Sequence, residues 1–532
     1  MGSFLRDLEE VAKGKNNYFF GNILIERLEG KEAFDVIDGQ QRMTTISIFM
    51  RSMHDVLSNR AKNETIDDNL TNQEFLQYLQ EDYLINRSKA KIQTVEYDRD
   101  YFRDVITYGG DIKHSPQTLS QERILSAKKF FKERLEKIDT KNLVLIFEVI
   151  QKSEILSIPF ENKKDSVLMF ELQNNRGKDL TNLEKLKSYL AYQIYTYSPT
   201  KESEAKLREI TSVFEEIYRL LKDINLDEDR VLNYFNISRA GFDYRENDDS
   251  KNYKKELKNI EKDKKIEWIE GYTRELKNAF VDFKDFEKSE NIFKDWLFYL
   301  NVGEIYPFII KAYRLFRDEK EKIGEVCKIL EIMAFRHKIV KTRADLASRL
   351  NVVLKNFEDI QTLIDGIKNI CSEYVEYWSD DAIRNALVSL RNLDVVPYVF
   401  MRYENFLRSK STRTKGYLFS LKELEKPEIE HIAPRVESDE KISRGYCKYD
   451  KEFTKEYLHS IGNLLLIDKA HNGSIGNRPF GEKKASYKDS PLFQQREVEN
   501  FQNEEKWDKA SIDNRREKIE DFIISTWGFE NI

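Results

Sequence analysis

The first 60 residues contain apolar runs of two kinds, which predict two strands followed by a helix. The segment NNYFFGNILIERLEG, residues 16–30, is rich in aromatic and β-branched residues and ends in glycine, a pattern typical of a strand and a turn. The shorter run AFDVI predicts a second strand. In the stretch DGQQRMTTISIFMRSMHDVL that follows, Met43, Ile46 and Phe49 keep the spacing of a helix. We therefore expect DGQQR to lie at the junction between a strand and a helix.

Helical spacing prevails through the middle of the chain. Residues 120–138 predict a helix, whereas the apolar runs LVLIFEVI and ILSIPF favour strands. Thr181 follows the break made by NNRG and is of a residue type that caps helices, so a helix is expected to begin after it. From about residue 190 to 400 the pattern is mostly amphipathic helix without a repeat of about 20 to 50 residues, which argues against a solenoid.

A third pattern covers residues 405–532, and the polar, basic segment RSKSTRTKG near its start predicts a domain boundary. Ile429 and Ile432 flank a polar pair ahead of Pro434, as at the end of a strand, and the apolar residues 464–467 predict a second strand. A helix is expected to begin beyond Ala470. This arrangement would be a hairpin followed by a helix. It would bring His431 and Asn472 together from the two ends of the hairpin.

Composition narrows the class of protein. At about 150 residues per domain, 532 residues predict three or four domains, and the net charge of −6 excludes a polycation that coats a duplex. The three cysteines, Cys327, Cys371 and Cys447, are too few and too scattered for a disulfide framework or a thiolate zinc site. No apolar run reaches the roughly 18 residues that cross a bilayer, and the N-terminus lacks the pattern of an export signal. We therefore expect a cytoplasmic protein that has no membrane partner.

The residues around the predicted hairpin carry groups suited to phosphodiester hydrolysis. This reaction needs a base to activate water, a cation to balance charge on the phosphate, and a way to stabilise the leaving oxygen. The imidazole of His431 suits the first task because its ordinary pKa lies near neutrality. The oxygen atoms of Glu430 and Asn472 suit a hard cation such as Mg²⁺, which needs only one or two protein ligands besides water and phosphate.

The order EHIAP, GNLLLID and then HN resembles the His-Me finger (HNH) nuclease motif, in particular the C-terminal nuclease domain of GmrSD-type restriction proteins. The similarity continues through NRPFGEKKASYKDS. The resemblance implies that His431 is the general base and that Glu430 and Asn472 are metal ligands. It also implies that Asn463 belongs to the catalytic set as the residue that fixes the loop bearing the base. Many HNH enzymes have Asp where this chain has Glu430.

The surroundings of this motif are less informative. His459 and His471 are expected to be ordinary core or surface histidines. The segment from Asp468 to Lys488 has a local charge of +3, which could hold phosphates, although each of its cations alone is equally typical of a solvated helix face. The basic residues of the segment are Lys469, Arg478, Lys483, Lys484 and Lys488.

The sequence VIDGQQRMTT holds the parts of a phosphate site. Gly39 permits a close approach of backbone, Arg42 offers a planar fork, and a helix start presents free N–H groups. No Walker motif occurs, and Asp-Gly is equally an ordinary turn. DGQQRMTT, preceded by YFFGNILI and followed by FELQNNRGKDLTNLEKLK, resembles the ParB-related nucleotide-binding domain of the GmrSD family.

That second resemblance implies a nucleoside triphosphate, GTP or ATP, that this domain binds or hydrolyses. The implied pocket residues are Asp38, Gly39, Gln40, Gln41, Arg42, Asn174 and Arg176. Family members usually begin with a Tyr-Gln-Arg-x-Tyr-x-Trp-like element upstream of the position where this sequence starts. The expectation is therefore either a truncated start or a pocket that lacks one wall and binds nucleotide weakly.

Together these features predict an α+β, predominantly helical protein. Its expected parts are a ParB-like α/β nucleotide-binding domain at 1–190, a helical middle domain at 191–404 and a ββα-metal (HNH) nuclease domain at 405–532. The predicted function is a metal-dependent DNA endonuclease that is regulated by a nucleoside triphosphate and belongs to a modification-dependent, antiviral type IV system. Its predicted cofactor is Mg²⁺ or another divalent cation, and its predicted substrate is modified phage DNA. The alternatives are a catalytically inactive nucleotide-binding sensor or scaffold for a defence partner, and a nuclease that acts on RNA. A homo-oligomer is left open.

Overall fold

A computed structural model of the protein describes residues 2–14, 18–28, 32–60, 65–67, 70–87, 89–110, 115–160, 181–241, 249–390, 393–411, 417–436 and 444–532. The chain divides into two units: Met1–Asn233 with Glu246–Lys284, and Tyr234–Arg245 with Asp285–Ile532. Helices predominate and the sheets are small, so the predicted α+β, mainly helical class is confirmed. The boundaries at 190 and 404 stay a prediction, and the helical middle contributes to both units.

A three-stranded sheet forms the β-part of the first unit. The central strand β1 (Phe19–Arg27) pairs antiparallel with β2 (Phe34–Asp38) and parallel with β7 (Glu154–Phe160). These are the strands predicted from NNYFFGNILIERLEG, AFDVI and ILSIPF. Two short pairs of strands lie between them in the chain: β3 (Thr65–Asp67) with β4 (Leu70–Thr71), and β5 (Ile85–Asn86) with β6 (Lys89–Ala90).

The strand predicted for LVLIFEVI is wrong, because this run lies in the helix Thr140–Lys152. The carboxylate of Asp139 accepts a hydrogen bond from the backbone N–H of Asn142 at 2.9 Å and so caps the start of the helix. The apolar run conceals a helical spacing, because its buried members recur every three or four residues. These buried residues are Leu143, Ile146, Phe147 and Ile150.

The other helices of the first unit agree with the amphipathic pattern. The helix predicted for residues 120–138 spans Leu119–Leu135, and Thr181 caps the next predicted helix through a reciprocal capping box with Glu184. The helices of this unit, besides Thr140–Lys152, are Gly2–Gly14, Gln40–Ser58, Asn72–Leu79, Glu96–Phe102, Leu119–Leu135, Asn182–Tyr197, Thr200–Leu220 and Asp249–Asn259.

The second unit places a largely helical array beside a small β-hairpin. Two helices, Glu228–Ala240 and Lys265–Lys288, contribute residues to both units. The array comprises Ile292–Leu300, Tyr306–Phe316, Lys320–Val340, Leu346–Asn356, Ile360–Glu373, Val375–Trp378, Asp380–Val388 and Val396–Ser409. The helices after the hairpin are Lys469–Ile475, Phe480–Lys488, Phe493–Arg496 and Lys509–Trp527. None of the described helices combines the length and the apolar character needed to span a bilayer.

The predicted hairpin followed by a helix is confirmed. Strand β8 (Pro427–His431) pairs antiparallel with β9 (Leu464–Asp468), with His431 opposite Leu464. The helix Lys469–Ile475 begins directly after β9, slightly earlier than expected, because the carboxylate of Asp468 accepts from the N–H of Ala470 at 2.9 Å and caps it. The hairpin and the helix thus form a compact ββα element.

Strand β9 is buried on both faces, which explains its unbroken apolar sequence LLLI. Its free edge is closed by side chains. The N–H of Leu466 donates to the amide oxygen of Gln494 at 3.1 Å, and the carbonyl of Leu466 accepts from the side-chain amide of Gln495 at 2.8 Å. These contacts satisfy backbone groups that an open sheet edge would leave unpaired.

A buried arginine ties the last long helix to the helical array within the second unit. Arg336 is fully buried, and its guanidinium donates to the carbonyls of Trp378 and Trp527 and pairs with the carboxylate of Asp380. Asp380 also accepts from the backbone N–H of Phe529 at 3.1 Å. Because the guanidinium has left water completely, it depends on these partners for its hydrogen bonds.

We predict that Arg336→Met destabilises the second unit by about 3 kcal/mol or more, because Asp380 and two carbonyls lose their donor. Urea unfolding followed by tryptophan fluorescence measures this, since four of the five tryptophans lie in the second unit. The control is Arg384→Ala, which removes ion pairs of a side chain that is 44% exposed and should cost less than about 1 kcal/mol. Equal unfolding midpoints for the two variants would contradict the prediction.

Candidate active site

The two glutamates of β8 alternate along the strand, so their side chains leave the hairpin on the same side. Each meets a residue from one of the following helices. The carboxylate of Glu428 accepts a hydrogen bond from the side-chain amide of Asn472 at 2.8 Å. This contact uses a donor of the Asn472 amide and leaves its carbonyl oxygen, Oδ1, for another partner.

Glu430, a predicted metal ligand, is paired with Lys483. The ammonium of Lys483 contacts the Glu430 carboxylate and donates to the carbonyls of His431 at 3.0 Å and Ile432 at 3.3 Å. Burial raises the pKa of Glu430 and lowers the pKa of Lys483, and the opposite charge of the partner counteracts each shift. Lys483 is 1% exposed and pairs with Glu430, so it is neither a solvated lysine of a helix face nor an unpaired cation of the basic segment.

The predicted base, His431, is buried at the end of β8 and faces a second histidine. Its Nε2 lies 3.1 Å from Nδ1 of His459, and the two rings meet edge to face at 80°. Burial, followed by the charges of His459, Arg435 and Lys483, lowers the pKa of His431 to about 3. Burial and Arg435 also lower the pKa of His459. His431 is therefore a neutral imidazole at neutral pH.

Asn463 is fully buried and uses its whole side-chain amide to hold the loop after β8. Its Oδ1 accepts from the N–H of Ala433 at 2.8 Å and from the indole N–H of Trp507 at 3.0 Å. Its Nδ2 donates to the carbonyls of Ala433 at 3.2 Å and Leu458 at 2.9 Å. Asn463 does not line the cavity beside His431. Asn463 therefore fixes the backbone of the loop after β8 and lies outside the cavity.

A cavity of about 430 Å³ opens where β8 ends. Of the predicted residues, it brings together His431, Glu430 and Asn472. It also exposes Arg435, which the sequence analysis did not single out although it directly follows EHIAP. The full lining is Ile429, Glu430, His431, Pro434, Arg435, Val436, Asn472, Gly476, Asn477 and Lys483.

The other groups of the local patch have ordinary partners. Arg478 lies 3.6 Å from the carboxylate of Glu482, and both side chains are 57% exposed. Lys484 donates to the side-chain amide of Gln502 at 2.8 Å. His471 contacts the hydroxyl of Ser486 at 2.6 Å. The contact of His459 with His431 was not foreseen from the sequence, because no local sequence signal links the two residues.

In the first unit, DGQQR lies where β2 passes into the helix Gln40–Ser58, as predicted. Gly39 forms the turn with φ of 96°, and a Cβ at this position would lie 2.3 Å from the side chain of Ile23. Its N–H donates to the carboxylate of Asp38 at 2.7 Å. Since Gly39 has no side chain that could cap the helix, the first N–H groups of the helix stay available.

Arg42 is anchored but still accessible. Its guanidinium donates to the carbonyl of Phe20 at 3.3 Å and to the carboxylate of Asp38 at 3.3 Å, while 39% of its side chain is exposed. Gln40 and Gln41 are exposed beside it. The structure thus brings Asp38, Gly39, Gln40, Gln41 and Arg42 together at one turn. The two other predicted pocket residues, Asn174 and Arg176, lie outside the described residues.

Family comparisons match both regions of the chain that hold these residues. The family described as GmrSD restriction endonuclease, N-terminal domain, matches residues 1–191, and the one described as GmrSD restriction endonucleases, C-terminal domain, matches residues 377–521. The two matches cover more than half of the chain and contain DGQQR and the ββα element. The chain belongs to the GmrSD restriction endonuclease family. No curated protein matches it in sequence.

Membership of the GmrSD family makes the chain a restriction endonuclease of a type IV system, and DNA is its substrate class. The C-terminal GmrSD match begins at residue 377, within the helical array and ahead of the predicted boundary at 405. The helix Val396–Ser409, which lies inside this match, contacts the residues after the hairpin. Glu404 is fully buried and accepts from the backbone N–H groups of Phe493 at 3.0 Å and Gln494 at 3.1 Å, so the helix before the boundary packs into the nuclease region.

For this GmrSD nuclease region we predict that Asn463→Ala lowers stability by about 3 kcal/mol or more, because four buried backbone and indole groups lose their partner. Urea unfolding followed by tryptophan fluorescence measures the loss. The matched control is Asn472→Ala, which removes one half-buried amide contact and should cost about 1 kcal/mol. An Asn463→Ala protein as stable as the control would refute the positioning role.

Proposed function

We propose that this chain is a divalent-metal-dependent, nucleotide-regulated endonuclease that cuts modified phage DNA. The observation that carries the proposal is the cavity at the end of β8, which places His431 beside the oxygen donors of Glu430 and Asn472. An imidazole, a carboxylate and an amide are the groups that phosphodiester hydrolysis with a hard cation requires. The exposed cation of Arg435 on the same cavity adds a contact for the scissile phosphate.

His431 acts as the general base in this proposal. Its low pKa keeps the ring neutral, so a nitrogen lone pair is present to take the proton of the attacking water. Lys483 and Asn463 hold the backbone around it, the former through the carbonyl of His431 and the latter through both polar groups of Ala433. These contacts fix the backbone that carries the proposed base.

The metal proposal assigns Glu430 and Asn472 as ligands. Because the Nδ2 group of Asn472 is turned to Glu428, Oδ1 is the atom that would face a cation. The described residues hold no group of three or more His, Cys, Asp or Glu side chains suited to a metal. Mg²⁺ fits such a sparse site, since it needs only one or two protein ligands. When bound, it would balance the charge of the phosphate and the leaving oxygen.

The regulatory part of the proposal rests on the DGQQR turn. The uncapped start of a 19-residue helix, the exposed fork of Arg42 and the exposed amides of Gln40 and Gln41 suit the phosphates of GTP or ATP. Asp38 orients Arg42 through one charge-assisted hydrogen bond of 3.3 Å. We propose that nucleotide binding, with or without hydrolysis, governs cleavage.

A nucleotide-binding sensor or scaffold without nuclease activity is the second candidate. The pairing of Glu430 with the buried ammonium of Lys483 favours it, because a carboxylate whose charge is already balanced attracts a metal cation less strongly. The two candidates differ in one property. Only the nuclease nicks DNA.

We predict that the parent protein nicks supercoiled DNA that carries modified bases when Mg²⁺ and a nucleoside triphosphate are present. His431→Ala should lower the nicking rate by about 10² to 10⁴-fold, because the proton acceptor for water is lost. Initial rates on agarose gels measure this, with EDTA as the metal-free condition.

The matched control is His471→Ala, which removes a histidine of the same domain and should nick at the parental rate. Nicking by His431→Ala at the parental rate would refute the proposed base. A parent protein that nicks under no combination of DNA, metal and nucleotide would favour the sensor.

We predict that Arg42→Ala weakens triphosphate binding by about tenfold or more and removes the effect of nucleotide on nicking, because a charge-assisted contact to phosphate is lost. Calorimetric titration with GTP and with ATP measures the affinity. The control is Arg103→Ala, a surface arginine of the same unit with 43% exposure and neighbouring Asp partners. Unchanged binding by Arg42→Ala would remove this residue from the pocket.

A further inference from the structure

The contact between His431 and His459 requires a definite arrangement of hydrogen atoms. Two imidazole nitrogens 3.1 Å apart form a hydrogen bond only if one carries a hydrogen and the other a lone pair. Either Nε2 of His431 donates to Nδ1 of His459, or the reverse. The two arrangements have opposite consequences for a base.

If His431 donates through Nε2, its neutral ring has a lone pair on Nδ1, the nitrogen directed away from His459. If instead His459 donates, the neutral His431 carries its hydrogen on Nδ1 and has no lone pair left for water. His431 lines the cavity and His459 does not, so the remaining nitrogen of His431 is the one that can address a water there. Only the first arrangement yields a base.

Taking up a proton strengthens this preference. Once Nδ1 of His431 has accepted a proton from water, both ring nitrogens carry hydrogens, and Nε2 can still donate to a lone pair on His459. In the reverse arrangement the two N–H groups would face each other and the contact would break. An acceptor at His459 therefore serves His431 both before and after proton transfer, which is the task of the third group in a catalytic triad.

The position of His459 is suited to such a task. Its backbone carbonyl accepts from the N–H of Leu390 at 3.0 Å, and it lies four residues before Asn463, whose side chain makes four hydrogen bonds. The contact of 3.1 Å joins Nε2 of His431 to Nδ1 of His459, so one ring nitrogen of each histidine faces the other ring.

We propose that His459 is a positioning residue that holds His431 in the tautomer with hydrogen on Nε2 and the lone pair on Nδ1. This inference rests on the proposed function, because the tautomer matters only if His431 is a base. It goes beyond that function by assigning the direction of the hydrogen bond and the role of a histidine outside the cavity.

The direct test is ¹⁵N NMR of the full-length protein labelled at histidine, with the His431 signals identified by their loss in His431→Ala. The two nitrogens of a neutral ring differ widely in chemical shift according to which one carries the hydrogen. We expect His431 to carry it on Nε2 in the parent protein. Hydrogen on Nδ1 would overturn the inference whatever the activity.

The kinetic test compares His459→Ala with His459→Asn. The Oδ1 atom of asparagine is as many bonds from Cα as Nδ1 of histidine and can accept the same hydrogen bond. We expect kcat for nicking to fall about 10- to 100-fold in His459→Ala with KM for DNA unchanged, and to recover largely in His459→Asn. Thermal melting shows whether each variant folds. If His459→Ala does not fold, the NMR measurement on the parent protein still tests the inference.

The outcomes separate this inference from the proposed function. If His431→Ala nicks as well as the parent, the proposed function fails and the inference fails with it. If His431→Ala is inactive but folded His459→Ala keeps the parental kcat, only the inference fails. An equal loss of kcat in His459→Ala and His459→Asn would also overturn it, since an acceptor at that position would then have no effect.

Discussion

The side-chain amide of Asn463 has two donor sites and two acceptor sites, and all four are used by buried partners. Two of these bonds reach both polar groups of Ala433, two residues after His431, and the others reach Leu458 and the indole of Trp507. The amide therefore joins the end of one strand, the turn before the next and a distant aromatic side chain. A buried polar group without a partner costs about 1 to 3 kcal/mol, so a shift of this backbone that broke the bonds to Asn463 would be unfavourable. The bonds to Asn463 thereby fix the backbone next to His431.

Two buried cations also hold the backbone near Asn463 through hydrogen bonds to its carbonyl groups. Lys483 donates to the carbonyls of His431 and Ile432, and fully buried Arg515 donates to the carbonyls of Gly462 at 2.9 Å and Leu464 at 2.6 Å. A Cβ at Gly462 would lie 2.1 Å from the carbonyl oxygen of Ile512, so only glycine lets the last long helix approach this closely. The EHIAP and GNLLLID segments are thus held by side chains from helices that follow them in the chain.

The DGQQR turn of the first unit is built differently, with backbone and charge near the surface. The positive φ of Gly39 lets the helix begin immediately after β2, and Asp38 and the carbonyl of Phe20 fix the direction of the Arg42 fork. An ordinary Asp-Gly turn would need neither the anchored guanidinium nor its accessible face. The arrangement leaves cationic and N–H groups exposed together, which is the physical requirement for holding phosphates.

The sequence alone determined what depends on neighbours in the chain. The strand and helix around DGQQR, the cap at Thr181 and the hairpin followed by a helix were predictable because turn residues, capping residues and apolar spacing act locally. LVLIFEVI misled because a short apolar run fits a buried helix as well as a strand. Only the tertiary structure decided that Lys483 pairs with Glu430, that Asn472 donates to Glu428 and that His459 faces His431. These contacts join residues 28 to 53 positions apart, and their partners are selected by packing and by the cost of leaving a buried charge or polar group unpaired, which no local pattern encodes.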